Sequence, residues 1–247
     1  MSAMHLLDAA WCDETGLCLG QYQTPDKANE ITALPDLMAL LDVQGCLLTM
    51  DAIGCQKSVT RAIAGAEYLL APKGNQPTLH TAAEAAFATT AAAEVATTTG
   101  EKPAHGRVET RTGRGLPADR LPAALRGPEW VGLQTLVEVV ATRTVSATGV
   151  TTTGTRHYLS SRQASAADFQ GYVQRHWSIE NCLHWVLDVV FGEAHSRKRV
   201  GHVAANCAII RKFVLNLLRV QPESKSLNRK RNLCALFDEY RQNGLGF

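Results

Sequence analysis

The chain has 247 residues and a mass of 26.7 kDa, enough for one large domain or two small ones whose core needs no staples. Hydrophobic residues make up 45% and charged residues 19%, a globular balance that excludes wholesale disorder, and no apolar run approaches the roughly 18 residues of a membrane span. The 25 Lys and Arg against 23 Asp and Glu look neutral, yet residues 195–231 hold ten bases and one acid, Glu223, leaving 15 bases and 22 acids elsewhere.

Such a basic stretch suits either a polyanion partner or a solvated helical surface. Met1 to Trp11 shows no basic start followed by a long apolar run, so a soluble cytoplasmic protein with no membrane segment is expected. The seven cysteines, at 12, 18, 46, 55, 182, 207 and 234, form no C-x-x-C pair. They read as scattered packing thiols in a reducing compartment, Cys55 and Cys182 included, not as a disulfide framework or zinc ribbon.

In chain order, the apolar runs Met4–Trp11 and Gly16–Tyr22, with Asp13 and Glu14 between them, predict a β-hairpin. Glu30–Leu41 has helical spacing, with Pro35 tolerable only near the first turn. Gly45–Met50 reads as a buried strand ending on Asp51, Lys57–Ala64 as a helix and Glu67–Ala71 as a strand. Strand, helix, strand implies a mainly parallel sheet. Thr81–Thr99 is Ala/Thr-rich, helical at first and then a loose linker before Gly100 and Pro103. Gly106–Thr112, Leu133–Val145 and Thr155–Ser160 read as strands, with Gly149 to Gly154 a turn-rich connection. Helices are expected over Asp168–Val190, His202–Val220 and Leu227–Tyr240, with Val203, Ile209, Ile210, Val214, Leu217 and Leu218 as packing positions.

Two places could carry chemistry. Asp51 follows an apolar strand, where open α/β sheets place their sites, although an Asp there can equally cap the next turn. In residues 172–191, YVQRHWSIENCLHWVLDVVF, the side chains His176, Glu180, His184 and Asp188 recur every four residues on one helical stripe flanked by Trp177 and Trp185. A polar stripe on an apolar helix needs a metal, a nucleic-acid backbone or an internal network as partner. There is no H-E-x-x-H, P-loop, G-x-G-x-x-G or G-x-S-x-G.

The blocks LLTMDAIGCQK, YLLAPKGNQPTL, GRVETRT, YLSS and RHWSIENCLHWVLDVVF together resemble the DDE transposases of bacterial insertion sequences. The branch is the one that includes the H-repeat-associated proteins, and the resemblance runs from about His5 to Tyr240. It implies an α/β fold: a ribonuclease H-like mixed sheet with a β-rich insertion and a helical C-terminal part. The implied division is a first part of the core at 1–80, linker helix and insertion at 81–165, a core helix with the third acid at 166–200, and a basic helical tail at 201–247.

In such enzymes two Asp and one Glu hold two divalent metals, usually Mg²⁺, for in-line attack on a phosphodiester. By position Asp51 matches the second acid and Glu180 the third, each both catalytic and metal-binding. The resemblance makes Arg175, His176 and Asn181 candidates for DNA phosphates or for orienting the carboxylate, with Lys73, Asn75, Arg107 and Arg111 lining the DNA path. The triplets Arg197, Lys198, Arg199 and Arg229, Lys230, Arg231 are further DNA contacts. Implied partners are DNA, as element ends and target, and a second copy of the chain.

The chain departs from the family pattern in three ways. The family's first Asp, on a strand in an Asp-Gly-Lys-like block upstream of the hairpin, has no counterpart, and Asp8 does not replace it. Full-length members' N-terminal helical region is absent, and four residues instead of three separate Arg175 from Glu180. The first core strand is therefore expected to be missing, leaving exposed sheet edges and a polypeptide that is inactive and poorly soluble. The alternatives are a non-catalytic DNA-binding fragment that holds element ends or interferes with a complete transposase, and a zinc hydrolase built on His176, Glu180 and His184.

Overall fold

A computed structural model describes residues 5–8, 11–24, 30–63, 65–74, 76–91, 96–104, 106–198 and 200–245. The chain divides into two compact units, one of Met1–Ala33 with Trp177–Phe247 and one of Leu34–His176. Among the described residues no helix is long and apolar enough to cross a membrane.

Strands β1 (His5–Asp8) and β4 (Gln21–Thr24) pair antiparallel, and inside them β2 (Trp11–Cys12) pairs with β3 (Leu17–Cys18). This is the expected hairpin, interrupted once and carried on to Thr24. Helix α1 (Glu30–Ala39) keeps Pro35 in its interior, as its sixth residue and not in the first turn.

The second unit is built on one sheet. Strand β5 (Leu47–Met50) leads through α2 (Lys57–Ala62) to β6 (Glu67–Leu70), and the two strands are parallel, Leu47 opposite Glu67 and Met50 opposite Leu70. After α3 (Pro77–Thr89) come β7 (Ala96–Ala104), β8 (Arg107–Pro117), β9 (Thr135–Val145) and β10 (Thr151–Ser160). The order is β5-β6-β10-β9-β8-β7, so β5 is an edge strand, and every pair except β5–β6 is antiparallel. The sheet is therefore mixed, not mainly parallel. A parallel pair needs a crossover, which residues 51–66 supply, whereas the connections β7–β8 and β9–β10 are too short for anything but hairpins. Tyr68, Leu70, Leu116, Leu136 and Leu159 from the sheet pack with Leu79, Ala83 and Phe87 of α3 and with Leu125 and Trp130.

Two expectations within the sheet are corrected. The end of Thr81–Thr99, read as a loose linker, enters strand β7 from Ala96, because register with β8 pairs Thr99 with Thr112 and carries the strand on through Gly100 and Pro103 at the sheet's edge. Residues Thr151–Thr153, read as connection, belong to β10. Their hydroxyls meet across the ladder, Thr144 Oγ1 to Thr151 Oγ1 at 2.9 Å and Thr142 Oγ1 to Thr153 Oγ1 at 3.3 Å, while Gly149 at φ +69° makes the turn. The hairpin β1–β4 forms ladders of its own, separate from this sheet.

Helix α4 (Ala166–His176) starts at a reciprocal cap: Asp168 N–H donates to Ser165 Oγ at 3.1 Å, and Ser165 N–H to Asp168 Oδ2 at 3.2 Å. It stops at a turn on Trp177, so Asp168–Val190 is not one helix. The continuation holds wider π turns at Glu180–His184 and Val186–Val190. Helices α5 (Val203–Val220), α6 (Leu227–Leu236) and α7 (Asp238–Leu245) follow, the last two parted where Phe237 is extended. In this unit Leu183, Val186 and Leu187 pack with Cys18 and Leu215.

Candidate active site and nucleic-acid interface

Asp51 stands exposed one residue beyond β5. Its Oδ1 accepts the Ile53 N–H at 3.1 Å, so the carboxylate shapes the following turn, as an Asp at this place can. Gly54 closes that turn against the strand: a Cβ there would lie 2.7 Å from Met50 Cβ and 2.9 Å from Met50 Sδ. Nothing in the local sequence pattern marked Gly54; only the folding back of the turn shows why a side chain is excluded. One turn on, Cys55 is fully buried, and burial pushes its thiol up to about 12, which leaves it protonated and unreactive. The Gln76 amide holds this segment from the far side, donating to Cys55 O at 3.2 Å.

His176, in the last turn of α4, reaches the same strand. Its Nδ1 lies 2.9 Å from Thr49 Oγ1, two residues before Asp51. Arg175 beside it is exposed, its guanidinium 5.1 Å above the Tyr172 ring, and Arg162 lies 5.5 Å from the same ring.

Glu180 and Asn181 lie exposed in the other unit, on the π segment. Among the described residues no three His, Cys, Asp or Glu side chains gather closely enough to hold a metal. The zinc-hydrolase alternative on His176, Glu180 and His184 is therefore set aside. The turn at Trp177 and the π turns after it break the four-residue period on which that stripe depended. Asp51 and Glu180 each present an exposed carboxylate, the hard-oxygen donor type that suits Mg²⁺.

The remaining predicted contacts divide. Lys73 and Arg107 are exposed; Asn75 and Arg199 lie outside the described residues. Arg111 is committed to Glu109 at 2.9 Å, and its carbonyl accepts the Gln170 amide at 2.5 Å. Burial works upward on the Glu109 carboxyl, but the hydrogen bond from Arg143 and the charge of Arg111 outweigh it and hold it below the usual range.

The basic tail is only partly a surface. Arg197, Lys198 and Arg229 are exposed, with Lys198 Nζ 3.6 Å from Cys207 Sγ. Lys230 is buried, giving its ammonium to Leu218 O at 3.0 Å and Gln221 O at 2.8 Å. Lys212 is buried too, 2.9 Å from Gln21 Oε1, and Arg219 donates to the carbonyls of Gly16 and Cys182. Arg231 lies 5.9 Å from the Phe191 ring. Conversely Val203, Ile209 and Ile210, expected to pack, are exposed together with Phe213, while Leu218 is buried as expected. Helix α5 packs through Ala205, Ala208, Lys212, Leu215 and Leu218, so the face that carries Ile209, Ile210 and Phe213 stays outside.

The sequence pattern also missed a buried charge cluster in the sheet. Glu138 on β9 takes the Arg114 guanidinium from β8, Nε at 2.7 Å, and lies 3.2 Å from His157 Nε2 on β10. Phe87 stacks on His157 at 5.9 Å and lies 5.0 Å beneath Arg114. Each of the three sits alone in its strand, so only the register makes them a group.

Comparison with known proteins gives the family. Residues 6–217 match the family described as "Transposase DDE domain", and the chain belongs to it. It is 39% identical over 244 residues to the transposase-named protein YncI of Escherichia coli O157:H7, covering 95% of this chain and 61% of that one. It is 34% identical over 247 residues to the H repeat-associated, transposase-named protein YhhI of E. coli strain K12, covering 96% and 64%. The protein YbfL of the same strain gives the same identity and shares. The chain thus spans less than two thirds of the length of these curated relatives. No solved structure matches it.

Proposed function

We propose that the chain is the part of an insertion-sequence transposase that carries two carboxylates of its site, Asp51 and Glu180, on a ribonuclease H-like core. The whole protein then cuts and joins DNA. The observation that carries this reading is the family match over residues 6–217, within which Asp51 stands exposed at the end of the parallel strand β5. Mg²⁺ held by such carboxylates activates the attacking oxygen and stabilises the leaving one. Asp51 and Glu180 supply hard oxygen ligands, and Arg175, Asn181, Lys73 and Arg107, all exposed, meet the phosphates.

Two carboxylates make an incomplete cage, so the 247-residue chain alone binds DNA without cutting it. That is also the second reading, a non-catalytic DNA-binding fragment, and the exposed Arg197, Lys198 and Arg229 favour it. The test is purified chain on labelled duplex and on supercoiled plasmid, with and without Mg²⁺, over a salt series. Binding that falls steeply with salt and no nicking are expected. Mg²⁺-dependent nicking that Asp51→Ala removes would show a complete site in this chain, and no DNA binding at low salt would overturn the transposase reading.

A further inference from the structure

The end of β5 has more holding it than a sheet edge requires. Edge strands are paired on one side only and fray from their ends, and β5 is four residues long with β6 as its neighbour in the sheet. Asp51 lies just past the last ladder position, Met50 opposite Leu70. On one side the Gly54 turn folds back on Met50, and on the other the imidazole of His176 sits 2.9 Å from the Thr49 hydroxyl. Side chains two residues apart in an extended chain share a face, so the imidazole arrives on the face from which residue 51 projects. The bond is long-range, joining residues 127 apart in sequence, and it ends α4, whose start is fixed independently by the Ser165–Asp168 cap.

We infer that His176 is a positioning residue: through Thr49 Oγ1 it holds the end of β5 and with it the direction of the Asp51 carboxylate. This gives His176 a role exerted through Thr49, one that requires no direct contact with metal or phosphate. The inference deepens the proposed function and rests on it for the role of Asp51. The clamp itself rests only on the geometry within the sheet unit.

Four variants of the full chain test it: His176→Ala, Thr49→Val, which keeps shape and removes the hydroxyl, Thr49→Ser, which keeps the hydroxyl, and Asp51→Asn. Two readouts are needed, Mn²⁺ binding followed by the loss of free-ion paramagnetic resonance signal, and amide hydrogen exchange in a peptide over residues 47–55. His176→Ala and Thr49→Val should each speed exchange there and weaken Mn²⁺ binding by roughly fivefold, the equilibrium change that losing one hydrogen bond implies. Thr49→Ser should restore both. Unchanged exchange in Thr49→Val overturns the clamp. Faster exchange with unchanged Mn²⁺ affinity, where Asp51→Asn does abolish binding, overturns the positioning of the carboxylate. If Asp51→Asn leaves Mn²⁺ binding as it was, the metal role in the proposed function fails instead, and exchange alone decides the clamp.

Discussion

The two units of this chain offer their buried charges different partners. In the sheet unit the buried charge is paired: Glu138 sits between Arg114 and His157 on three neighbouring strands, and opposite groups satisfy one another. In the helical unit the buried Lys230 gives its ammonium to the carbonyls of Leu218 and Gln221, the buried Lys212 lies against the Gln21 amide oxygen, and the half-buried Arg219 donates to the carbonyls of Gly16 and Cys182. A sheet brings side chains from distant strands into register, so a carboxylate can meet its partner there. Helix ends leave carbonyls unsatisfied, and a long basic side chain reaching back to them fills the deficit. A net basic segment therefore overstates the charge carried at the surface, because Lys212 and Lys230 are buried.

The comparison can be broken most sharply at Glu138. Glu138→Gln leaves the Arg114 guanidinium without its carboxylate and should cost about 3 kcal/mol, the low end for a broken buried pair because Arg114 remains a third exposed. Thermal unfolding of the variant measures it. Acid should do the same progressively. Burial alone would raise the Glu138 carboxyl, but the hydrogen bonds from His157 and Arg114 outweigh it and hold it below its ordinary 4.5. A depressed carboxyl stabilises the fold above that ordinary value, and the contribution is lost as pH falls below 4.5 toward the folded-state value. Melting temperature against pH should thus decline on that limb, and Glu138→Gln should flatten it.

On the helical side, Lys230→Met leaves two carbonyls unpartnered and should cost about 2 kcal/mol, with DNA affinity at fixed salt unchanged. Arg197→Ala should do the reverse, leaving stability alone and lowering the salt slope of DNA binding by about one. If Lys230→Met weakened DNA binding while leaving the melting temperature unmoved, the distinction between structural and surface cations would fall. At the edge of the sheet, Gly54→Ala should cost about 1–2 kcal/mol, since the new methyl meets Met50 in a closed turn. The smallest effect belongs to the threonine ladder, where Thr144→Ala should cost about 0.5 kcal/mol, near the limit of denaturant titration.

The elements that could be read from sequence are those whose signal is local. The run GCLLTM before Asp51 becomes β5, the hairpin around Asp13 and Glu14 forms, and α5 spans Val203–Val220 almost as its spacing requires. The readings that needed correction depend on partners. The end of Thr81–Thr99 looks like loose linker, yet pairing with β8 takes it into a strand from Ala96, and Val203, Ile209 and Ile210 look like core yet lie exposed. Asp51 and Glu180 are singled out as candidates only by the neighbouring blocks of family pattern. The grouping of Arg114, Glu138 and His157 was not legible, because no one of them has a neighbour in its own strand that marks it.

Sequence by itself determined the family and most of the elements, since periodicity, turn residues and block order are properties of short stretches. Tertiary structure decided the rest: that the sheet is mixed, that Lys212 and Lys230 face inward, that Gly54 must lack a side chain, and that His176 reaches Thr49. Each of these depends on groups far apart along the chain, and burial and hydrogen bonding become definite only when the fold has brought them together.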